Sequence, residues 1–507
     1  MLAKIQSFGL FGMVGYPVQV EVDVTGGLPA FELVGLPDAA VKESRERVRS
    51  ALKNSGFTYP PQRITVNLAP ADVRKEGPMY DLPMAIGLLV ASERIAGENA
   101  APYCFLGELS LDGALRPISG VLAMAIEARK QGYTKLILPE ENAEEASYIE
   151  GLRVYGCQSL GQAVAFLEGK ITIEPQAVHR WQSGQDEVQS CDFSQIKGQQ
   201  GAKRAMEIAA AGGHNILLIG PPGSGKTMLA KAMNSILPDL TFEEALEITK
   251  IHSVAGQTKG RGLVSCRPFR APHHSISTAA LAGGGAKARP GEVSLAHGGV
   301  LFLDELPEFK RDALEALRQP LEDHSVTVSR VNATATYPAR FMLVAAMNPC
   351  PCGQYGTGDC RCTPNQIHRY LNRISGPLLD RIDLEVEMGA VAYEEMTAEA
   401  NEESSQTVKQ RVDLARQRQL ARYGGQKIYC NAQLDSRLTK AHCKLDTEGE
   451  TVLRHAFDNL GLSARAYGRI LKVARTIADL DGSESILVQH VAEAVQYRSL
   501  DRKYWGN

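Results

Sequence analysis

Nowhere in the 507 residues is there a continuous apolar run of about 18, the length a membrane-spanning helix needs, so no membrane partner is expected. The amino terminus, Met1-Leu2-Ala3-Lys4, lacks a charged segment followed by an apolar one and a cleavage site, which points to a cytoplasmic chain. Neither sign of charge is in excess. Lys and Arg number 55 against 58 Asp and Glu, a formal net charge of −3, so any contact with nucleic acid must come from a local basic patch. Cysteine is sparse and uneven: four of the ten fall within thirteen residues and the others are scattered, which excludes a disulfide scaffold and marks one candidate metal knuckle. Internal repeats and low-complexity tracts are missing too. What remains is ordinary globular composition, 44% hydrophobic and 22% charged, in a chain too long for one core, so roughly two to four domains are expected.

Residues 1–170 carry alternating apolar runs at 18–24, 64–68, 105–109 and 135–138, with helical periodicity at 38–55, 81–92 and 119–131. This predicts an α+β domain. Residues 171–190 turn polar and irregular and read as a linker. Residues 191–388 alternate strand and helix patterns, as an α/β nucleotide-binding domain with a parallel sheet should. Residues 389–507 are dominated by helical periodicity, at 394–423, 446–460, 464–478 and 486–497, and predict a helical lid.

The apolar stretch 216–219 runs into Gly220, Pro221, Pro222, Gly223, Ser224, Gly225, Lys226 and Thr227, followed by a helical pattern. Strand, glycine-rich loop and helix in this order form a phosphate cradle. The glycines let backbone N–H groups turn inward, and the helix adds the positive end of its dipole. Lys226 is expected to reach the β- and γ-phosphates of a nucleoside triphosphate, and the Thr227 hydroxyl to hold Mg²⁺. A second apolar strand, 300–303, ends in Asp304 and Glu305: the first carboxylate suits the Mg²⁺ shell, the second the polarising of an attacking water. A third strand, 341–347, ends at Asn348, whose amide can orient that water or sense the γ-phosphate. Arg381, in Gly376-Pro-Leu-Leu-Asp-Arg-Ile-Asp383, stands where a neighbouring subunit's nucleotide could be touched, and Arg465 offers a guanidinium from the lid.

These elements in this order resemble the AAA+ ATPases. Arg267-Pro-Phe-Arg-Ala-Pro-His-His-Ser275, Gly291-Glu-Val-Ser-Leu-Ala-His297 and Asn348-Pro-Cys-Pro-Cys-Gly353 are similar to the magnesium-chelatase-like branch. Gly26-Gly-Leu-Pro-Ala-Phe-Glu-Leu-Val-Gly-Leu-Pro37 and Asn67-Leu-Ala-Pro-Ala-Asp72 resemble the bacterial family called ComM or YifB, and the likeness covers nearly the whole chain. It implies an ATP-hydrolysing, hexameric ring that acts on single-stranded or branched DNA, as a helicase for branch migration during natural transformation. By that resemblance residues 220–227 are Walker A, Asp304 and Glu305 Walker B, Asn348 sensor 1, Arg381 the arginine finger and Arg465 sensor 2. Arg373 and Arg469 lie near enough in sequence to exchange places with the last two.

Two segments qualify as pore elements. One is the glycine-rich loop holding Lys287 and Arg289; the other, 325–337, alternates like a hairpin with Arg330 near its turn. The three cations suit sequence-independent phosphate contact, although each taken alone is as readily a solvated loop charge. The basic stretch Lys409, Arg411, Arg416, Arg418 and Arg422 reads as a solvated helix face. Cys350, Cys352, Cys360 and Cys362 can satisfy a structural tetrahedral Zn²⁺, with reduced thiols or labile disulfides as the other readings. Residues 67–125 resemble the proteolytic domain of Lon, but the nucleophile and amine positions hold Met79 and Leu122, neither of which can attack a carbonyl or move a proton. No peptidase is expected. Three rival functions share the central motifs: a chelatase motor, a protein remodeller, for which Tyr337 is the sole aromatic in the hairpin, and a non-catalytic scaffold.

Overall fold

The computed structural model describes residues 1–178, 181–184, 191–258, 262–285, 288–330, 333–356, 359–390, 402–424, 426, 428–460 and 462–505. The front part is a seven-stranded sheet flanked by helices. Its strands are β1 (Leu2–Phe11), β2 (Val14–Thr25), β3 (Ala30–Val34), β4 (Arg63–Ala69), β5 (Cys104–Phe105), β6 (Lys135–Pro139) and β7 (Arg153–Cys157). They lie in the order β3-β4-β2-β1-β5-β6-β7. Three helices pack beside it: α1 (Ala39–Asn54), α2 (Asp81–Ala91) and α3 (Val121–Lys130). Every residue of α2 is buried, as befits a helix that is apolar on all sides.

Three strands escaped the sequence reading. Along β3 the residues alternate between exposed and half-buried because it is an edge strand, so it carries no core signal. β1 buries Ser7, whose hydroxyl donates to the Phe105 carbonyl at 2.9 Å, and this polar residue breaks the apolar alternation. β7 is only five residues long. The run expected at 105–109 splits at Gly107, where a β-carbon would lie 2.9 Å from Leu115.

The central part begins with α4 (Gln200–Gly212) and holds the strands β8 (Ile216–Ile219), β9 (Phe269–Arg270), β10 (Val300–Leu303), β13 (Met342–Met347) and β14 (Leu384–Glu387). Between β10 and β13 stands a separate hairpin, β11 (Ser325–Arg330) with β12 (Ala333–Pro338). The sheet order is β9-β10-β13-β8-β14, with every pairing parallel. Helix α5 (Lys226–Ile236) leaves the loop after β8, and α6 (Phe242–Ala255) follows it. Strand β8 is apolar throughout because both its faces are covered. Ile216 and Leu218 join a core with α4 and the carboxy-terminal helices, while Leu217 and Ile219 join one with Tyr337 of the hairpin.

The last part is helical: α7 (Ser405–Arg422), α8 (Thr447–Leu460), α9 (Ala464–Leu480), α10 (Val488–Gln496) and α11 (Leu500–Trp505). The residues expected to begin α7, from 394 to 401, lie outside the described residues. The five cations of α7 are not a solvated face. Lys409 pairs with Asp239 and Asp413, Arg411 with Glu207 and Glu403, and Arg422 with Asp479; Arg416 and Arg418 donate to the carbonyls of Tyr429, Ala210 and Asp479. These bonds dock α7 between α4 and the other lid helices. No helix among the described residues is long and apolar enough to cross a membrane.

A buried carboxylate joins the front and central parts. Glu145, 2% exposed, accepts from the Leu122 N–H at 2.9 Å, from the Thr258 hydroxyl at 2.9 Å and from the Ser253 hydroxyl of α6. Ser253 in turn accepts the Gly120 N–H at its carbonyl, 3.0 Å, and at its hydroxyl, 3.1 Å. Burial pushes the Glu145 carboxyl up from its ordinary value, against the pull of these three donors. Substituting Glu145→Ala should orphan three buried donors, at a cost of about 1–3 kcal/mol. Hydrogen exchange should then lose protection at residues 120, 122 and 253, and unchanged protection would show that the joint is held elsewhere.

Candidate active site

Because the central strands are parallel, their carboxy-terminal ends share one edge, and the loops that follow them meet there. The loop after β8 turns at Gly223 and Gly225, with φ of +80° and +87°, a conformation that a side chain would strain. At Gly220 the obstacle is space: a β-carbon would lie 2.6 Å from the Met388 carbonyl. Lys226, largely buried, donates from Nζ to the carbonyls of Gly220 at 2.7 Å and Pro221 at 2.8 Å, and to Asn348 Oδ1 at 3.2 Å. Burial lowers the Lys226 pKa, and nearby Asp304 opposes the shift. From the next residue, the Thr227 hydroxyl donates to Asp304 Oδ2 at 2.7 Å. The structure thus gathers Lys226, Thr227, Asp304 and Asn348, the ends of three strands, into one cluster.

Glu305 stands beside this cluster in left-handed backbone, φ 53°, with its N–H on Asp304 Oδ1 at 2.9 Å. A non-glycine residue held there is strained, and such strain gathers at functional positions. Its half-exposed carboxylate lies 3.3 Å from His274 Nδ1, and the His274 ring packs on His273 with centroids 4.0 Å apart. Both histidines lie in the Arg267–Ser275 segment, where local order assigns them no role. A histidine that close to the expected water-polarising base restrains where that base points.

The arginines sit elsewhere. Arg381 is 6% exposed; it donates to the Pro377 carbonyl at 2.6 Å and pairs with Glu322. That is not the posture of a guanidinium projecting toward a neighbouring chain, because both terminal nitrogens are engaged within its own fold, while the buried Nε has no partner among the described residues. Arg465 is exposed and reaches the same Glu322 at 3.9 Å, so one carboxylate stands between both expected arginines. Of their neighbours, Arg373 is half-exposed and pairs with Glu308 at 2.8 Å, whereas Arg469 is committed to buried Asp383 at 2.7 Å.

The pore candidates form one unit. Gly283 packs on Val328 of β11, and the Tyr337 hydroxyl of β12 donates to the Ala288 carbonyl at 2.8 Å. Arg289 is exposed. Lys287 lies outside the described residues, and so does the side chain of Arg330, which ends β11. Tyr337 is 1% exposed and does not present an aromatic ring to solvent. At the front, Met79 and Leu122 are buried as well.

Directly after Asn348, the four expected cysteines converge. Cys350 and Cys352 Sγ lie 3.4 Å apart, Cys350 and Cys360 3.9 Å, and Cys352 and Cys360 3.7 Å; all four, with Cys362, fall within 4.8 Å of one another. Backbone N–H groups of Arg361 and Gln354 pull the Cys352 thiol down to about 6. This set can hold a thiophilic metal ion. At the opposite end of the sheet, a cavity of about 160 Å³ is bounded by Arg267, Arg340 and Arg416, whose charges already meet Glu244, Glu247 or backbone carbonyls.

Compared with known proteins, residues 192–396 match the family described as Magnesium chelatase, subunit ChlI. Residues 20–142 match Subunit ChlI of Mg-chelatase, and 402–498 match Magnesium chelatase, subunit ChlI C-terminal. YifB of Escherichia coli (strain K12) is 49% identical over 99% of this chain and 98% of its own. The competence protein ComM of Haemophilus influenzae is 47% identical over the same shares. The chain belongs to the magnesium-chelatase-like ComM/YifB family. A partial match, 26% identical and covering 30% of each chain, is with Lon protease 2 of Bacillus subtilis (strain 168). As a ComM/YifB protein it carries the AAA+-like α/β domain with the helical domain behind it.

If Glu305 polarises the attacking water, Glu305→Gln should leave ATP affinity unchanged and lower turnover by about 10²–10⁴-fold. Steady-state phosphate release and equilibrium binding of an ATP analogue separate the two effects, and normal turnover would remove Glu305 from the role.

Proposed function

We propose that this ComM/YifB protein is an ATP-hydrolysing ring motor that drives branch migration of DNA intermediates during recombination, as in natural transformation. The observation that carries the reading is the convergence of Lys226, Thr227, Asp304 and Asn348 within hydrogen-bond reach at one sheet edge. The 47% identity with a competence protein supports the DNA-related role.

In this reading Lys226 gives up the Gly220 and Pro221 carbonyls for phosphate oxygens, with the loop N–H groups beside it. Thr227 and Asp304, already 2.7 Å apart, would hold Mg²⁺, which neutralises charge developing on the phosphates. Asn348, bonded to Lys226, fixes the attacking water relative to the γ-phosphate. Glu305 takes the proton from that water once its carboxylate swings away from His274. Arg381 or the more exposed Arg373 completes a neighbouring subunit's site, and Arg465 answers from the lid. An arginine contributed across a boundary requires a homo-oligomer, and a hexameric, cytoplasmic ring is the form proposed.

The linked hairpin and glycine loop would carry Lys287, Arg289 and Arg330 along a DNA strand. The buried Tyr337 counts against the rival reading, a motor that grips polypeptide with pore aromatics. Peptide hydrolysis is not part of the proposal, since Met79 and Leu122 offer neither nucleophile nor base.

The deciding experiment is strand exchange on a synthetic three- or four-way junction, with and without ATP. ATP-dependent exchange is expected, together with ATP turnover that rises on adding DNA; turnover indifferent to DNA would sink the motor reading. Replacing Lys287, Arg289 and Arg330 together by Ala should weaken binding to single strands and lower the slope of log affinity against log salt by about 2. An unchanged slope would move the DNA site elsewhere.

A further inference from the structure

We propose that a zinc ion held by Cys350, Cys352, Cys360 and Cys362 braces the phosphate loop, so that nucleotide binding depends on zinc. The proposal rests on the ATPase reading above. Zn–S bonds of about 2.3 Å place the corners of a tetrahedron about 3.8 Å apart. The three Sγ separations of 3.4, 3.9 and 3.7 Å straddle that length, and they far exceed the roughly 2.05 Å of a disulfide. Four protein thiolates fill the coordination sphere, which makes the site a structural one with no open position for chemistry.

Two contacts connect this centre to the nucleotide site. Cys350 is fully buried and stands two residues after Asn348, whose side chain accepts from Lys226. Gly353, held by its N–H on the Cys350 carbonyl at 2.9 Å, lies against the ring of Pro222 in the phosphate loop. The approach is so close that a β-carbon on Gly353 would sit 2.4 Å from Pro222 Cδ and 2.9 Å from Cγ, at a φ of +79° that favours glycine. On the far side, the Tyr355 ring lies 6.0 Å from that of Tyr504 in α11, whose hydroxyl donates to Glu387 at the end of β14. The knuckle therefore spans from the phosphate loop to the last helix of the chain.

A glycine-containing loop pays heavily in backbone entropy to stay in one conformation. Cross-linking both of its ends through one ion supplies that order, because metal binding free energy becomes folding free energy where the site forms. Without the ion, the two ends of the loop meet through weak thiol contacts, such as that of the Arg361 N–H with Cys352, and the Pro222 ring has a looser backing.

The test uses the full chain purified under reducing conditions. Elemental analysis should find about one zinc per chain. A zinc-selective chelator in excess Mg²⁺ should weaken binding of a fluorescent ATP analogue by roughly tenfold or more, and zinc alone should restore it. Cys360→Ser should lose the zinc and bind the analogue as the chelated protein does. Gly353→Val keeps all four thiols; it should retain zinc yet still bind the analogue roughly tenfold more weakly, because its side chain displaces Pro222. A chain free of zinc, or a zinc-loaded Gly353→Val that binds as tightly as the native protein, overturns the proposal. Failure of the zinc-loaded native chain to bind the analogue at all would overturn the ATPase reading and the coupling with it, while the zinc content is read separately.

Discussion

A hydrogen bond of 2.7 Å between the Thr227 hydroxyl and Asp304 joins residues 77 apart in sequence, and the nucleotide site is organised around it. It exists because β8 and β10 run parallel on either side of β13, so that the loops leaving them emerge at the same edge. An antiparallel partner at either place would send one of those loops to the far end of the sheet. The same arrangement delivers Asn348 from β13 to Lys226, between the other two. Four chemically different groups thus reach one point without any long loop: Asp304 and Asn348 directly follow strands buried on both faces, and Lys226 and Thr227 open the helix after a third.

The groups that the proposed cycle would move stand just outside this cluster. Glu305 is tied to His274 by a contact at the surface, and Arg381 and Arg465 share Glu322. The arginine contacts are ion pairs that can be exchanged for others at modest cost where they are exposed, and the Glu305 contact likewise lies at the surface. Burial makes the Arg381 pair harder to release than the Arg465 one. A cluster fixed by backbone geometry, ringed by charges that can re-pair, suits a machine that changes its contacts as its nucleotide changes.

The front domain is joined to the central one near a position that the Lon resemblance singles out. Leu122 stands, by resemblance, where Lon-type peptidases keep an amine, and its N–H now donates to Glu145. The same carboxylate collects Ser253 and Thr258 from the central domain, so the neighbourhood serves as a joint. A second contact brings the β1–β2 turn to the β11–β12 hairpin, where a β-carbon on Gly12 would lie 3.2 Å from that of Ala335. Through these two contacts the front domain touches both α6 and the hairpin.

Much of the site was legible in the residues alone. The loop at 220–227, the strand at 300–303 and Asn348 carry their chemistry in local order, because phosphate binding needs backbone turns that only closely spaced glycines permit. The strand limits at β8 and β10 matched for the same local reason: short apolar runs bounded by turns. Residue types and spacing thus pointed to the α/β nucleotide-binding class, and the longer motifs to the family they resemble. Tertiary structure decided which of the candidate groups are free. Burial of Arg381 and Tyr337, the pairing of the α7 cations and the hold of His274 on Glu305 all depend on residues far off in the chain. Local pattern records what a side chain can do; only packing determines whether its partners leave it anything to do it with.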